Sequence, residues 1–186
     1  MGKMIRACPL DSSALVHLAS RNRRYTNMFR LSATLTDDVS PVVLQRALER
    51  TAPRFPLIAA GIRRGNCQYA VVPSNPPPQV AADRECLACM PAEMIRRCAM
   101  RVLYRDRKIS VEIFHSLTDG FGGLSFLTAL LTEYAALAYG IPDSGGGRNT
   151  AAVETLADDY ITYAGRRTVS FPHSRVYRIP GGAKSG

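Results

Sequence analysis

The feature that most constrains the fold is a change in apolar spacing along the second half of the chain. Residues 98–114 (CAMRVLYRDRKISVEIF) alternate apolar and polar side chains around a turn at residues 105–107, which is typical of a β-hairpin. Beyond Gly123, apolar residues recur every three or four positions, which predicts a helix that stops at Gly140. The apolar face of these strands must be buried against another element, and this helix can pack on it.

Other segments indicate further elements of both kinds. The start of the chain is polar and predicts loose order. Proline and glycine positions separate these elements. They are a strand over Asn27–Leu35, a helix from Ser40 (N-cap) and Pro41 to Thr51, a hairpin over 57–73, a short helix over Pro91–Arg97 and a helix over 151–165.

The order of these elements predicts the fold class. Strands and helices alternate and two hairpins occur, so we expect an α/β two-layer sandwich with a mixed, largely antiparallel sheet and helices on one face. The expected organisation is one domain over residues 1–164 and a basic, extended tail over residues 165–186.

The charge of the chain is concentrated in this tail. The net charge is +9, and residues 165–186 hold five of the 24 basic residues and none of the 15 acidic ones. A nucleic-acid module more typically has a basic stripe with exposed aromatic residues, which the sequence lacks. The pattern therefore favours a solvated basic surface over nucleic-acid binding, and attraction to another anionic partner stays open.

The five cysteines have no framework spacing, which is typical of reduced thiols. The sequence shows neither a signal peptide nor an apolar run of about eighteen residues, so we expect a cytoplasmic protein without a membrane span. Cys86 and Cys89 form a C-x-x-C pair that would suit half of a zinc site or a redox pair. A zinc site needs four ligands and a second pair is missing, so we predict no metal.

The junction between the second hairpin and the long helix is the candidate site. The alternation of the strand extends to His115, which places this side chain on the apolar face at the strand end. A neutral histidine can take a proton near pH 7. Asp119 precedes the helix and suits an N-cap, and Gly120 would let a ligand or another backbone approach closely.

These residues carry a resemblance to a known family. Residues 115–120 (HSLTDG) match the H-x-x-x-D-G signature of the acyltransferase superfamily that includes chloramphenicol acetyltransferase, alcohol acetyltransferases and the condensation domains of peptide synthetases. The continuation GFGGLSFL is similar to the helix that follows the signature in that family, and residues 24–58 resemble its opening strand and helix, with Arg54-Phe55-Pro56-Leu57 at an Arg-His-Pro-type element.

Two departures refine this resemblance. Phe114 precedes His115 where condensation domains usually have a second histidine, so the alcohol acetyltransferase-like members are the closer likeness. A D-F-G-W-G-like motif of the second lobe is absent from the sequence, which also has no tryptophan. The likeness therefore covers the N-terminal lobe alone, a chloramphenicol acetyltransferase-like lobe.

The resemblance implies an activity. His115 would be the general base that deprotonates an alcohol or amine, which then attacks an acyl thioester on coenzyme A or a carrier protein. The donor would be a substrate, with no tightly bound cofactor, and a second lobe or a second chain would complete the site. Asp119 and Gly120 would be structural, and Asp119 would pair with one of four arginines, Arg21, Arg23, Arg24 or Arg30.

Three alternatives to this activity stay open. His115 could be a core histidine with satisfied hydrogen bonds. The chain could be a catalytically silent binding or assembly module of the same fold, or a basic domain that binds an anion or nucleic acid. In each case an isolated lobe would expose an apolar face and tend to associate.

Overall fold

The structure is a computed structural model, and it describes residues 7–22, 25–65, 68–84, 87 and 89–140. All of these residues belong to one compact unit, Met1–Val153. The predicted tail, the boundary at residue 164 and the predicted helix over 151–165 lie outside the described residues. The described elements are β1 (Cys8–Pro9), α1 (Ser12–Ser20), β2 (Met28–Thr34), α2 (Pro41–Thr51), β3 (Ala60–Arg64), β4 (Tyr69–Pro73), β5 (Ala81–Ala82), α3 (Ala92–Arg97), β6 (Met100–Arg105), β7 (Lys108–Phe114) and α4 (Gly120–Tyr139).

The larger sheet contains four strands in the order β2-β7-β6-β5. β6 and β7 form the predicted hairpin, with Asp106 in the turn at a φ of 48°. β2 pairs antiparallel with β7 so that Met28 faces Phe114, and β5 pairs parallel with β6. The prediction of a mixed, largely antiparallel sheet in an α/β fold is therefore confirmed.

A smaller antiparallel sheet has the order β1-β4-β3. β3 and β4 are the predicted first hairpin, closed by a bond from Gly65 N to Gln68 O of 2.8 Å. Gly61 in β3 contacts the backbone at the end of α3, where a Cβ atom would collide with the Arg96 carbonyl. The glycine thus allows helix α3 to pack directly against this strand.

Helices α2 and α4 pack together on the larger sheet and form its main core. Ser40 caps α2 and Pro41 occupies its first position, as predicted. The Tyr134 hydroxyl of α4 accepts a hydrogen bond of 2.9 Å from Ser40 N, which ties the two helices. Buried residues of this core include Leu44 and Leu48 from α2, Val102 from β6, Ile109, Val111 and Ile113 from β7, and Phe126, Leu127 and Leu130 from α4.

Among the described helices, only α4 is long and apolar enough to cross a membrane, by length and composition alone. Core helices of soluble proteins pass the same test. Several α4 residues are buried against β6 and β7, so the composition of α4 has an explanation within the fold.

The start of the chain differs from the prediction. Residues Ser12–Ser20 form helix α1, so the expectation of a loosely ordered start is wrong for them. Asp11 caps the helix by accepting a bond of 2.7 Å from Ala14 N. Leu18 of α1 packs against a second cluster that contains Met28 and Phe114. This cluster holds α1 beside the end of β7.

Candidate functional site

His115 is the first residue after β7, and its backbone and ring are both held by neighbouring segments. Its N–H donates to the Asn27 carbonyl over 2.8 Å, which continues the β2–β7 pairing by one step. His115 as a whole residue is partly exposed. It stacks on the His17 ring of α1, with centroids 4.5 Å apart and planes 10° apart, and it touches Phe29 at 5.0 Å.

The ring nitrogens of His115 have no hydrogen-bond partner within the described ranges, whose bonds to His115 involve its backbone only. A core histidine with satisfied hydrogen bonds would have both ring nitrogens bonded to protein. Among the described residues, His115 has stacking contacts but no bond to either ring nitrogen. Such a nitrogen is chemically able to accept a proton from a ligand.

His17 is the site residue that sequence reasoning missed. Burial and the nearby His115 charge lower the pKa of His17 below its ordinary 6.5, and Asp11 partly opposes this shift. Its signal in the sequence is faint: Asp11 suits an N-cap, and Ala14, His17 and Leu18 have helical spacing. The polar composition around these residues hides the pattern.

Asp119 caps helix α4. Its carboxylate accepts a bond of 2.9 Å from Gly122 N, and α4 begins at Gly120, directly after the predicted N-cap. Of the four candidate arginine partners, Arg21 donates to Met90 O, and Arg30 pairs with Glu112 and Asp83. Arg23 and Arg24 lie outside the described residues, so an arginine partner for Asp119 stays a prediction.

The glycines after Asp119 are not equivalent. A Cβ atom at Gly123 would lie 2.8 Å from the Phe29 ring, and one at Gly122 would collide with the Thr118 hydroxyl. A Cβ atom at Gly120 would meet no atom within 4 Å. Packing thus explains Gly122 and Gly123, whereas a close approach at Gly120 by a ligand stays a prediction.

A buried group of charges lies on the sheet face opposite Val111 and Ile113. Glu112 is fully buried and pairs with Arg30 and Arg101, and Arg30 also bonds Asp83 over 2.8 Å. Burial lowers the pKa of Arg30, but the two carboxylates outweigh burial, so the net pKa is raised. Glu112 and Arg101 help to line a groove of about 640 Å³, of which His115 is not a lining residue.

Metal-binding residues do not converge in the part of the chain that the structure describes, where no group of three or more His, Cys, Asp or Glu could hold an ion. Cys86 lies outside that part, so the C-x-x-C pair remains untested. Cys98 is buried. Burial raises the pKa of its thiol, with partial opposition from Met100 and Ser74, which disfavours the thiolate that binds metals.

Comparison with known proteins identifies the fold through structure alone. No family model matches the chain, and no curated protein matches it in sequence. The starter condensation domain of rhizomide synthetase aligns with a TM-score of 0.63 and 12% identity over 86% of this chain and 44% of that one. The X-domain from teicoplanin biosynthesis aligns with a TM-score of 0.62 and 16% identity over 92% of this chain and 42% of that one.

A third solved structure agrees with these two. Polyketide synthase associated protein 5 from Mycobacterium tuberculosis aligns with a TM-score of 0.53 and 17% identity over 76% of this chain and 35% of that one. This chain thus spans less than half the length of each of the three. Identities this low show the fold alone. The described residues therefore form a condensation-domain-like α/β fold that corresponds to part of the larger proteins.

Proposed function

We propose that the chain is one lobe of an acyltransferase in which His115 is the general base. The observation that carries the proposal is the position of His115, a partly exposed residue at the junction of β7 and α4. Among the described residues, none makes a hydrogen bond to either of its ring nitrogens. These are the properties that a proton acceptor needs. The H-x-x-x-D-G match of residues 115–120 supports the same role.

In the proposed reaction, a neutral His115 nitrogen removes the proton from the hydroxyl or amine of the acceptor. The acceptor oxygen or nitrogen forms a bond to the acyl carbonyl carbon, and the bond from that carbon to sulfur breaks. The proton on His115 then passes to the leaving thiolate, which restores the base. Asp119 holds the loop through its cap on α4, and Gly120 leaves space at the loop for the substrate.

The proposed donor is an acyl thioester of coenzyme A or of a carrier protein. One structural neighbour, the R148A variant of the rhizomide starter condensation domain, was solved in complex with C8-CoA. This neighbour has a TM-score of 0.62 and 11% identity, so it supports the donor class by likeness of fold only. Since this chain spans 42% of that neighbour, we also propose that a second lobe or a second chain completes the site. We further propose a cytoplasmic location.

The test is a thiol-release assay of the intact gene product, with the lobe or chain that completes the site, using acyl-coenzyme A donors and a panel of alcohols and amines. We expect acceptor-dependent release that falls about 10²- to 10⁴-fold in His115→Ala, the usual range for loss of a general base. Thr132→Ala, an exposed change on α4, is the matched control and should keep the wild-type rate. Equal rates for wild type and His115→Ala would eliminate the base assignment.

The second candidate is a catalytically silent binding or assembly module. The teicoplanin X-domain, in a structure with a TM-score of 0.55, forms a complex with the protein OxyB, so one protein of this fold binds another protein. This candidate predicts no acceptor-dependent thiol release with any donor. It also predicts a partner affinity that His115→Ala does not change.

A further inference from the structure

Two imidazole rings from distant parts of the sequence meet at the candidate site. His17 on α1 stacks almost parallel on His115, with ring centroids 4.5 Å apart. Phe29 of β2 contacts His115 at 5.0 Å and an interplanar angle of 56°. His17 therefore covers one face of the His115 ring, and Phe29 limits how far that ring can turn.

Hydrogen bonds connect α1 to Asn27 and Ser116, beside the two ends of the stack. The Asn27 side chain donates to the His17 carbonyl over 2.7 Å, while the Asn27 carbonyl accepts from His115 N over 2.8 Å. The buried Ser116 hydroxyl donates to the Ala14 carbonyl over 2.7 Å. Asn27 has a φ of 51°, a left-handed conformation that asparagine tolerates better than most residues.

We infer that His17 is a positioning residue for His115, because its stacked ring fixes the orientation in which a His115 nitrogen faces the acceptor. This inference rests on the proposed function of His115. His17 itself need not touch the substrate. The two rings also share one small volume, so the state in which both carry a proton is disfavoured by charge repulsion.

Among the described residues, Asp11 is the charged group that acts on the histidine pair. Asp11, in the N-cap of α1, favours a protonated His17. Asn27 and Phe29 next to the pair do not titrate, and neither does Ser116. Among the described groups, the pH effect on His17 therefore comes from its burial and from His115, with Asp11 as the opposing charge.

The kinetic test compares His17→Ala, which removes the ring, with His17→Phe, which keeps a stacked ring without a titratable group. We expect kcat to fall about tenfold in His17→Ala with KM changed less than about twofold, because misorientation affects the chemical step. His17→Phe should restore most of kcat. Val16→Ala, an exposed change on the same helix, should leave both parameters unchanged. Equal losses in the Ala and Phe variants, or no loss in either, would overturn the inference.

A second readout does not depend on activity. In the wild type, the ring protons of His115 should have nuclear magnetic resonance shifts displaced by the stacked ring. The displacement should disappear in His17→Ala and persist in His17→Phe. Identical His115 shifts in wild type and His17→Ala would refute the stack, and with it the positioning role.

The two readouts separate this inference from the proposed function. If the wild type releases no thiol while the shifts reveal the stack, the acyltransferase proposal fails. The catalytic positioning role of His17 then fails with it, although the stack itself is confirmed. If the wild type is active and His115→Ala is not, unchanged kinetics in His17→Ala refute the positioning role alone.

Discussion

Glu112 is a buried carboxylate that depends on its two arginine partners. It is fully buried, and its Arg30 and Arg101 partners come from neighbouring strands. Glu112→Ala would remove the carboxylate that the mostly buried guanidinium groups of Arg30 and Arg101 share. We expect it to lower the free energy of unfolding by about 3–5 kcal/mol, as for other broken buried pairs, measured by chemical denaturation.

Glu93 provides the control for that measurement. It pairs with Arg96 and Arg97 on the exposed surface of α3. Solvent screens such pairs, so Glu93→Ala should leave the unfolding midpoint nearly unchanged. Equal effects of the two substitutions would contradict the assignment of Glu112 as a buried structural charge.

His17 should make stability depend on pH. Burial and His115 lower its pKa in the folded state below the ordinary 6.5, so the unfolded state binds a proton more readily. The free energy of unfolding should therefore decrease as the pH falls below about 6.5. Denaturation at pH 7.5 and pH 5.5 should give a smaller difference for His17→Phe than for the wild type. A difference of the same size in both proteins would argue against this coupling.

At the residue scale, sequence reasoning predicted two residues of the candidate site, and that assignment stays a prediction. His115 and Asp119 were predictable because a six-residue signature contains both of them. His17 was not, because its role arises from a contact across distant segments. The outward direction of Glu112 relative to Ile113 followed from strand alternation, but its burial depends on Arg30 from a separate strand, which spacing cannot reveal.

At the element scale, the α4–β2 contact is the most sensitive point near the site. An added Cβ at Gly123 would lie 2.8 Å from Phe29, which itself contacts His115. Gly123→Ala should reduce the free energy of unfolding by about 1–3 kcal/mol, as overpacking does. Gly120→Ala is the control, since its Cβ meets nothing within 4 Å and alanine favours a helix by up to about 1 kcal/mol. Thermal unfolding of both variants measures the difference, and a loss in Gly120→Ala equal to that in Gly123→Ala would contradict the packing explanation.

The elements with strong periodicity were predictable. α2 has a clear cap and an apolar stripe, and β6, β7 and α4 have long regular patterns. β1 and β5 contain two residues each, too few to show any period. α1 has nine residues in a polar setting, and its stability comes from packing and capping contacts that the local sequence does not show.

At the scale of the whole molecule, the start of α4 exposes two large apolar side chains. Phe121 is 74% exposed and Leu124 is 52% exposed, and a spacing of three residues places them on one side of the helix. We expect the chain to associate through this surface in a concentration-dependent manner. Light scattering after size-exclusion chromatography should show less association for the Phe121→Ser, Leu124→Ser double variant.

Val42 on α2 is the matched control for this association. It is 65% exposed, yet it lies on another helix, so Val42→Ser should associate like the wild type. A double variant that still associates like the wild type would show that another surface is responsible. The identity of the proposed completing lobe or chain was beyond sequence reasoning, because the groups that would recognise it would belong partly to the partner.

The two hydrogen bonds of Asn27 bear on which substitutions the candidate site would accept. They join the main chains at positions 17 and 115, through the His17 carbonyl and the His115 amide. The meeting of these two positions is therefore independent of the side chains they carry. Other side chains, such as an acid beside a base, could therefore be substituted at positions 17 and 115 to change the local chemistry without changing the backbone.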